Sequence, residues 1–289
     1  MLSCGIVALI TIEAHSSATT PSGPTPSGST ARPPSAPNRR DRLRSATVAE
    51  IKALAWAQIA EVGAPALSLR AIAREMGMTS SALYRYFSSK EQLLTALAQD
   101  GFSSLADHLE AAEAEVEGVG VGRFFHLVRA YRRWALDHPT EYALTFGTPV
   151  PGLEEDAPEV KDEMLRGVAV LLRVMIEGLR SGTIEPPALV GSDMPALRAK
   201  LAAWGCGVDE SLSPEAVGAC MFAWTQLHGA ISLEVFGHMP PELLPADELF
   251  EYQMHEVLRT IGCQLPNHPS LGSWDEGVEL TAPEQKGTG

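Results

Sequence analysis

Ser80, Ser81, Tyr84 and Arg85 are the residues of this 289-residue chain whose types and spacing point most directly to chemistry. On a helix, Ser81, Tyr84 and Arg85 share one face with Ser80 beside them, while Leu83 and Phe87, at i and i+4, point inward. A face that is polar, basic and aromatic does not suit a core. It suits hydrogen bonding and charge pairing, and an arginine is shaped for a bidentate grip on guanine. The element before it explains how such a face would be held. Leu69, Ile72, Ala73 and Met76 fall at i, i+3, i+4 and i+7, the apolar stripe of a preceding helix. Ser68 stands where an N-cap belongs, Gly77 where the chain must turn left-handed to stop, and Thr79 where the second helix needs its own cap. Helix, glycine-containing turn and helix of this size form the helix-turn-helix unit, whose second helix enters the DNA major groove.

The stretch from Leu67 to Leu94 resembles the DNA-binding domain of the tetracycline-repressor (TetR) family. The family pattern is carried by Ile72–Ala73, Gly77, Leu83–Phe87 and Lys90–Leu94, and the similarity reaches upstream through Ile51, Ala55 and Gly63. It covers roughly Thr47 to Leu97. The resemblance implies that Arg85, Ser80 and Ser81 reach base edges and that Arg70 meets a base or a phosphate. It implies that Thr47, Thr79, Tyr84, Tyr86 and Lys90 bond phosphates and fix register. For Tyr86 a half-buried structural role stands beside that reading.

Charge divides along the chain in the same sense. The whole carries a net charge of −14, which alone would argue against a polyanion partner. From Arg39 to Lys90, however, nine Lys/Arg stand against four Asp/Glu, a net of +5, and from Glu91 to Gly289 twelve stand against thirty-one, a net of −19. The acidic part would repel phosphate and help orient the basic part toward it. Cys4, Cys206, Cys220 and Cys263 show neither a CxxC nor metal-ligand spacing, so they read as thiols in a reducing cytoplasm. The apolar run Leu2–Ile12 is too short to span a bilayer and no charged segment precedes it.

Taken in order, residues 1–38 read as a disordered extension, because Ala14 to Asn38 is dense in Ser, Thr, Pro and Gly. Arg39, Arg40, Arg42 and Arg44 then read either as a flexible basic arm for phosphates or the minor groove, or as a solvating linker. Thr47-Val48-Ala49-Glu50 has the form of a capping box opening a helix through Ile51, Ala55, Ile59 and Val62. Ser88-Ser89-Lys90-Glu91 has the same form and opens a long helix to about Glu117. The expected organisation is all-α: a three-helix DNA-binding domain over 39–97, a helical ligand-binding and dimerisation domain over 98–263, and a disordered tail over 264–289. In the second domain helices are expected near 124–135, 141–146, 159–180, 196–204, 214–237 and 247–261, with no strand-like alternation of any length.

Trp224…His228-Gly229 is similar to the Trp…His-Gly signature of one class of TetR C-terminal domains. The resemblance implies that the two last long helices pack as a four-helix bundle across a dimer axis. His126, Arg129, Trp134, Tyr142, Met175, Trp224 and His228, with Phe125 and Tyr131, are candidates for contact with a small effector. His228 reads more readily as a core histidine bonded within a helix pair, and Phe125, His126, Tyr131, Trp134, Tyr142 and Met175 as plain core. No Gly-rich phosphate loop, nucleophile elbow, HExxH or metal-ligand cluster occurs, so neither catalysis nor a cofactor is expected. The expected function is a ligand-responsive regulator, a homodimer binding a double-stranded palindromic operator as a repressor, with no membrane partner. An all-helical enzyme and a protein-binding adaptor are the competing readings.

Overall fold

Caps and chain breakers set the helices of this protein. The computed structural model describes residues 38–116, 120–154, 157–188, 194–206 and 212–265. The expected extension and tail therefore lie outside the described residues except for Asn38, Gln264 and Leu265. The elements run α1 (Arg39–Val62), α2 (Leu69–Glu75), α3 (Ser80–Leu83), α4 (Lys90–Glu115), α5 (Val121–Asp137), α6 (Pro139–Phe146), α7 (Pro158–Arg180), α8 (Pro195–Cys206), α9 (Pro214–Val235) and α10 (Asp247–Thr260). Among the described residues the only β pairing is a single bridge between Ile184 and Cys263. The all-α architecture agrees with the sequence reading. No described helix is long and apolar enough to cross a membrane.

One start differs. The box at Thr47 does not open α1, which begins eight residues earlier, and so Arg39, Arg40, Arg42 and Arg44 are helical rather than a flexible arm. Asn38 caps that earlier start by accepting the Asp41 N–H at 3.0 Å. Asp41 adds a carboxylate in the first turn, and Arg, Leu and Ala are good helix formers. Thr47 instead donates its hydroxyl to the Leu43 carbonyl at 3.0 Å, a bond made inside a helix. The second box is displaced by one residue. Ser89 caps α4 by accepting the Gln92 N–H at 3.1 Å, while the Gln92 side chain reaches back to the Ser88 N–H at 2.6 Å.

The chain divides into two compact units at Leu97–Ala98, with the short 149–153 segment joining the first. In the head, Ile51, Ala55, Leu69, Ile72, Leu83, Phe87, Leu93, Leu94 and Leu97 are buried together, so α1 and the start of α4 enclose the α2–α3 pair. In the second unit α5 is the axis of the core. It buries Phe125, Leu127, Val128, Tyr131, Trp134 and Ala135, and α6, α7 and α9 pack around it. α8 and α10 in turn pack on α9. Arginines on the flank of α5 tie it to the outer helices. Arg132 grips Glu234 of α9 through two bonds at 2.7 Å and reaches Asp247 of α10, and Arg129 grips Glu251 of α10 at 2.6 and 2.9 Å. Such forked pairs fix one helix register against another. α4 contributes Lys90–Leu97 to the head and its remaining residues to the second unit.

Candidate nucleic-acid interface and interior cavity

In the head, the turn between α2 and α3 is built by two caps and one glycine. Ser68 accepts the Ala71 N–H, and its own N–H is held by the Gln58 side chain at 2.6 Å. Gly77 has φ of 65°, a conformation that strains any side chain with a Cβ. That conformation lets the Met78 N–H reach the Ala73 carbonyl at 2.8 Å and the Gly77 N–H the Arg74 carbonyl at 3.1 Å, the Schellman pattern. Thr79 caps α3 by accepting the Ala82 N–H at 3.3 Å. α3 is one α-turn long, and i to i+3 bonds carry the coil on through Tyr86. Leu83 and Phe87 sink into the core and fix which face looks outward.

The outward face holds Arg70, Thr79, Ser81, Tyr84 and Arg85, all exposed, with Ser80 half-buried beside them. Arg70, Tyr84 and Arg85 have no protein partner among the described residues, so their donors face solvent. Besides Thr47 and Thr79, whose hydroxyls make the helix bonds given above, two more of the expected phosphate contacts are partly engaged. The Lys90 ammonium donates to the Pro65 carbonyl at 2.8 Å, which leaves its other N–H groups outward. Tyr86 is half-buried, with the Arg44 guanidinium 5.1 Å from its ring centre. That stacking joins the basic first turns of α1 to the edge of the recognition turn. Arg40, Arg44 and Thr47 follow at i, i+4 and i+7, in line with the buried Ile51, so the stripe that covers the core downstream carries cations upstream.

The second unit contains a cavity of about 400 Å³ lined by α5, α7, α8 and α9, with Phe146 at the end of α6. Phe124, Leu127 and Val128 come from α5, Met164, Leu171 and Met175 from α7, Leu201 and Trp204 from α8, and Cys220, Met221 and Trp224 from α9. Burial pushes the Cys220 thiol up to about 11, so it stays neutral there. Among the described residues Lys200 is the one charged side chain on the lining.

Of the residues singled out for effector contact, Met175 and Trp224 line this cavity and the others stand elsewhere. Trp134 is buried in the core with its indole N–H donated to Ser104 at 3.0 Å. Arg129 is held by Glu251, and His126 lies 3.6 Å from Glu115. Phe125 and Tyr131 belong to the packed core. Tyr142 and His228 form a small polar cluster beside the cavity. The His228 Nδ1 lies 3.3 Å from both the Tyr131 and Tyr142 hydroxyls, and Tyr142 also bonds Ser232 at 2.7 Å. Burial lowers the His228 pKa to about 4, pushes Tyr142 up to about 12 and raises Tyr131 as well, so all three groups are neutral. A ring with its proton on Nε2 accepts at Nδ1, and its face stacks on Trp224 with ring centres 5.3 Å apart. Apart from Met175, the walls from α7 and α8 escaped the sequence reading. Their apolar stripes have the same spacing whether they meet a neighbour or an empty space.

Comparison with known proteins agrees with both units. Residues 51–97 match the family described as bacterial regulatory proteins, tetR family, and 124–257 match the tetracyclin repressor-like C-terminal domain. The chain is 36% identical over 212 residues to the HTH-type transcriptional regulators Rv1816 of Mycobacterium tuberculosis and Mb1846 of Mycobacterium bovis. That alignment covers 71% of this chain and 87% of each relative. Among solved structures, SCO4313, described as a regulatory protein, is 36% identical with a TM-score of 0.63, over 77% of this chain and 100% of its own. A Rhodococcus sp. RHA1 protein of unknown function is 26% identical with a TM-score of 0.57, over 74% and 95%. The relatives are regulators and not enzymes, and the chain belongs to the TetR family of DNA-binding transcriptional regulators.

Proposed function

We propose that this regulator acts in the cytoplasm as a homodimeric repressor, holding a palindromic operator through its two heads and leaving it when a small, largely apolar effector occupies the cavity. The observation that carries the reading is the outward face of α3, where Ser80, Ser81, Tyr84 and Arg85 are presented by a capped turn on a head of net positive charge. In this reading Arg85, Ser80 and Ser81 meet base edges and Arg70 a base or phosphate. Thr47, Thr79, Tyr84, Tyr86 and Lys90 position the backbone, with Arg40 and Arg44 adding phosphate contacts from α1. Selection from a random duplex library should return an inverted repeat with half-sites about one helical turn, ~34–36 Å, apart. Recovery of no repeat, or binding indifferent to salt, would refute the operator reading.

The dimer is proposed from α9. Phe222, Gln226, Gly229, Leu233 and Phe236 follow a 4-3-4-3 spacing, and Phe222, Leu233 and Phe236 are exposed apolar residues. That is the seam spacing of helices that pack side by side. Nothing lies within 4 Å of where a Gly229 side chain would stand, which leaves room for a close approach. Tyr252 of α10, 56% exposed, would join the same surface. The effector is proposed to act through α7, which faces the cavity with Met164 and Leu171 and meets α4 with Gly167. A methyl group at 167 would stand 3.6 Å from the Ala106 Cα. Displacing α4 displaces the head that begins it. Coupling of this kind is typically about 1–3 kcal/mol and must be reciprocal, so the operator weakens the effector by the same factor.

A further inference from the structure

We infer that the cavity takes an amphiphilic monoanion, its hydrocarbon body of about a dozen heavy atoms inside and its single anionic group at the mouth on Lys200. The inference rests on the effector reading above and narrows it to a ligand class.

Size comes first. A cavity of about 400 Å³ holds roughly a dozen groups at the ~30 Å³ that a water-sized unit occupies in a condensed phase. The walls decide the body. α5, α7 and α9 line the space with aliphatic and aromatic side chains, and the Cys220 thiol among them is neutral. A polar group placed among them would lose its water and find almost no partner, at a cost of about 1–3 kcal/mol. Met164, Met175 and Met221 give the walls unbranched, adaptable side chains, which tolerates variation in the shape of the body.

The mouth decides the head group. Lys200 lines the cavity and is also exposed, so its side chain spans from the lining to solvent. It has no ion-pair partner among the described residues, whereas Arg198 on the same helix is paired with Glu215. α8 carries Arg198 and Lys200 and no acid. An anion at the opening therefore meets an unengaged cation while its body fills the apolar interior. A cationic amphiphile would meet repulsion at the entrance, and an uncharged one would leave Lys200 unused.

Decanoate and decanol, matched in body and different in charge, test this with the full-length protein. Trp204 and Trp224 line the cavity, so their fluorescence reports binding directly. At low ionic strength the wild-type protein should favour decanoate by about three- to fivefold, the range of one exposed ion pair. Lys200→Gln should remove the preference and Lys200→Glu should reverse it, while decanol affinity stays constant across all three and shows the fold intact. Equal affinities in the wild type, or a preference that survives in Lys200→Glu, would overturn the monoanion and leave the apolar effector standing. Failure of both compounds to bind would overturn the effector reading with it.

Discussion

The head and the second unit solve opposite problems with the same secondary structure. In the head the residues that matter are polar, exposed and close in sequence, and a buried Leu83 and Phe87 merely aim them. In the second unit they are apolar and interior, and they come from five helices spread along the chain. The charge follows the same division, positive where a polyanion is to be met and negative elsewhere. A surface site can be written into one short motif, because caps and a single Gly77 fix its geometry. A cavity is the gap left when helices of given stripe and length pack, so no one segment contains it.

The sharpest way to break this contrast is to attack the proposed seam. Leu233→Glu places two like charges face to face across a two-fold axis. It should convert a micromolar dimer into monomers by sedimentation and remove operator binding, with the head unaltered. A wild-type protein that sediments as a monomer would refute the seam outright. Leu258→Glu is the contrasting variant. Leu258 is buried in its own subunit, so a charge there should lower the melting temperature of the fold itself, and not simply separate subunits.

Arg85→Ala tests the head alone. It should cost about 1–3 kcal/mol of operator binding and relax base preference at one position per half-site, with decanoate affinity and subunit association unchanged. An unchanged binding preference would remove Arg85 from base reading.

His228 tests the interior by pH. Its folded pKa is depressed to about 4 from an ordinary 6.5, so above pH 6.5 both folded and unfolded states hold it neutral and its contribution is complete. As pH falls from 6.5 toward 4 the unfolded chain takes a proton that the folded one resists, and stability is lost progressively. Allowing for partial exposure, the loss should be about 1–2 kcal/mol. The melting temperature of His228→Asn should be flatter than the wild type across that window. Parallel curves would show that the histidine protonates freely in the folded protein.

The smallest effect concerns the start of α1. Replacing Arg40 and Arg44 by alanine should weaken operator and random DNA alike and reduce the slope of log K against log salt by up to about 2. A slope left unchanged would return these arginines to a solvating role.

By itself the sequence determined the head. Ser68, Gly77 and Thr79 act within a few residues of where they stand, and so the turn, the outward face and the family were all legible before any coordinates. Helices α5, α7, α9 and α10 were legible as well, because Pro, Gly and capping residues punctuate amphipathic stripes. The start of α1 was not, since two capping signals compete and only the long helix seeded at Asn38 shows which one prevails. Nor was the fate of Arg129, Trp134 and Tyr142, whose chemistry suits a ligand but whose partners, Glu251, Ser104, His228 and Ser232, arrive through packing. The cavity and its lone cation were decided by tertiary structure alone. An apolar stripe specifies that a face must leave water, not whether it meets another side chain or a space left for something else.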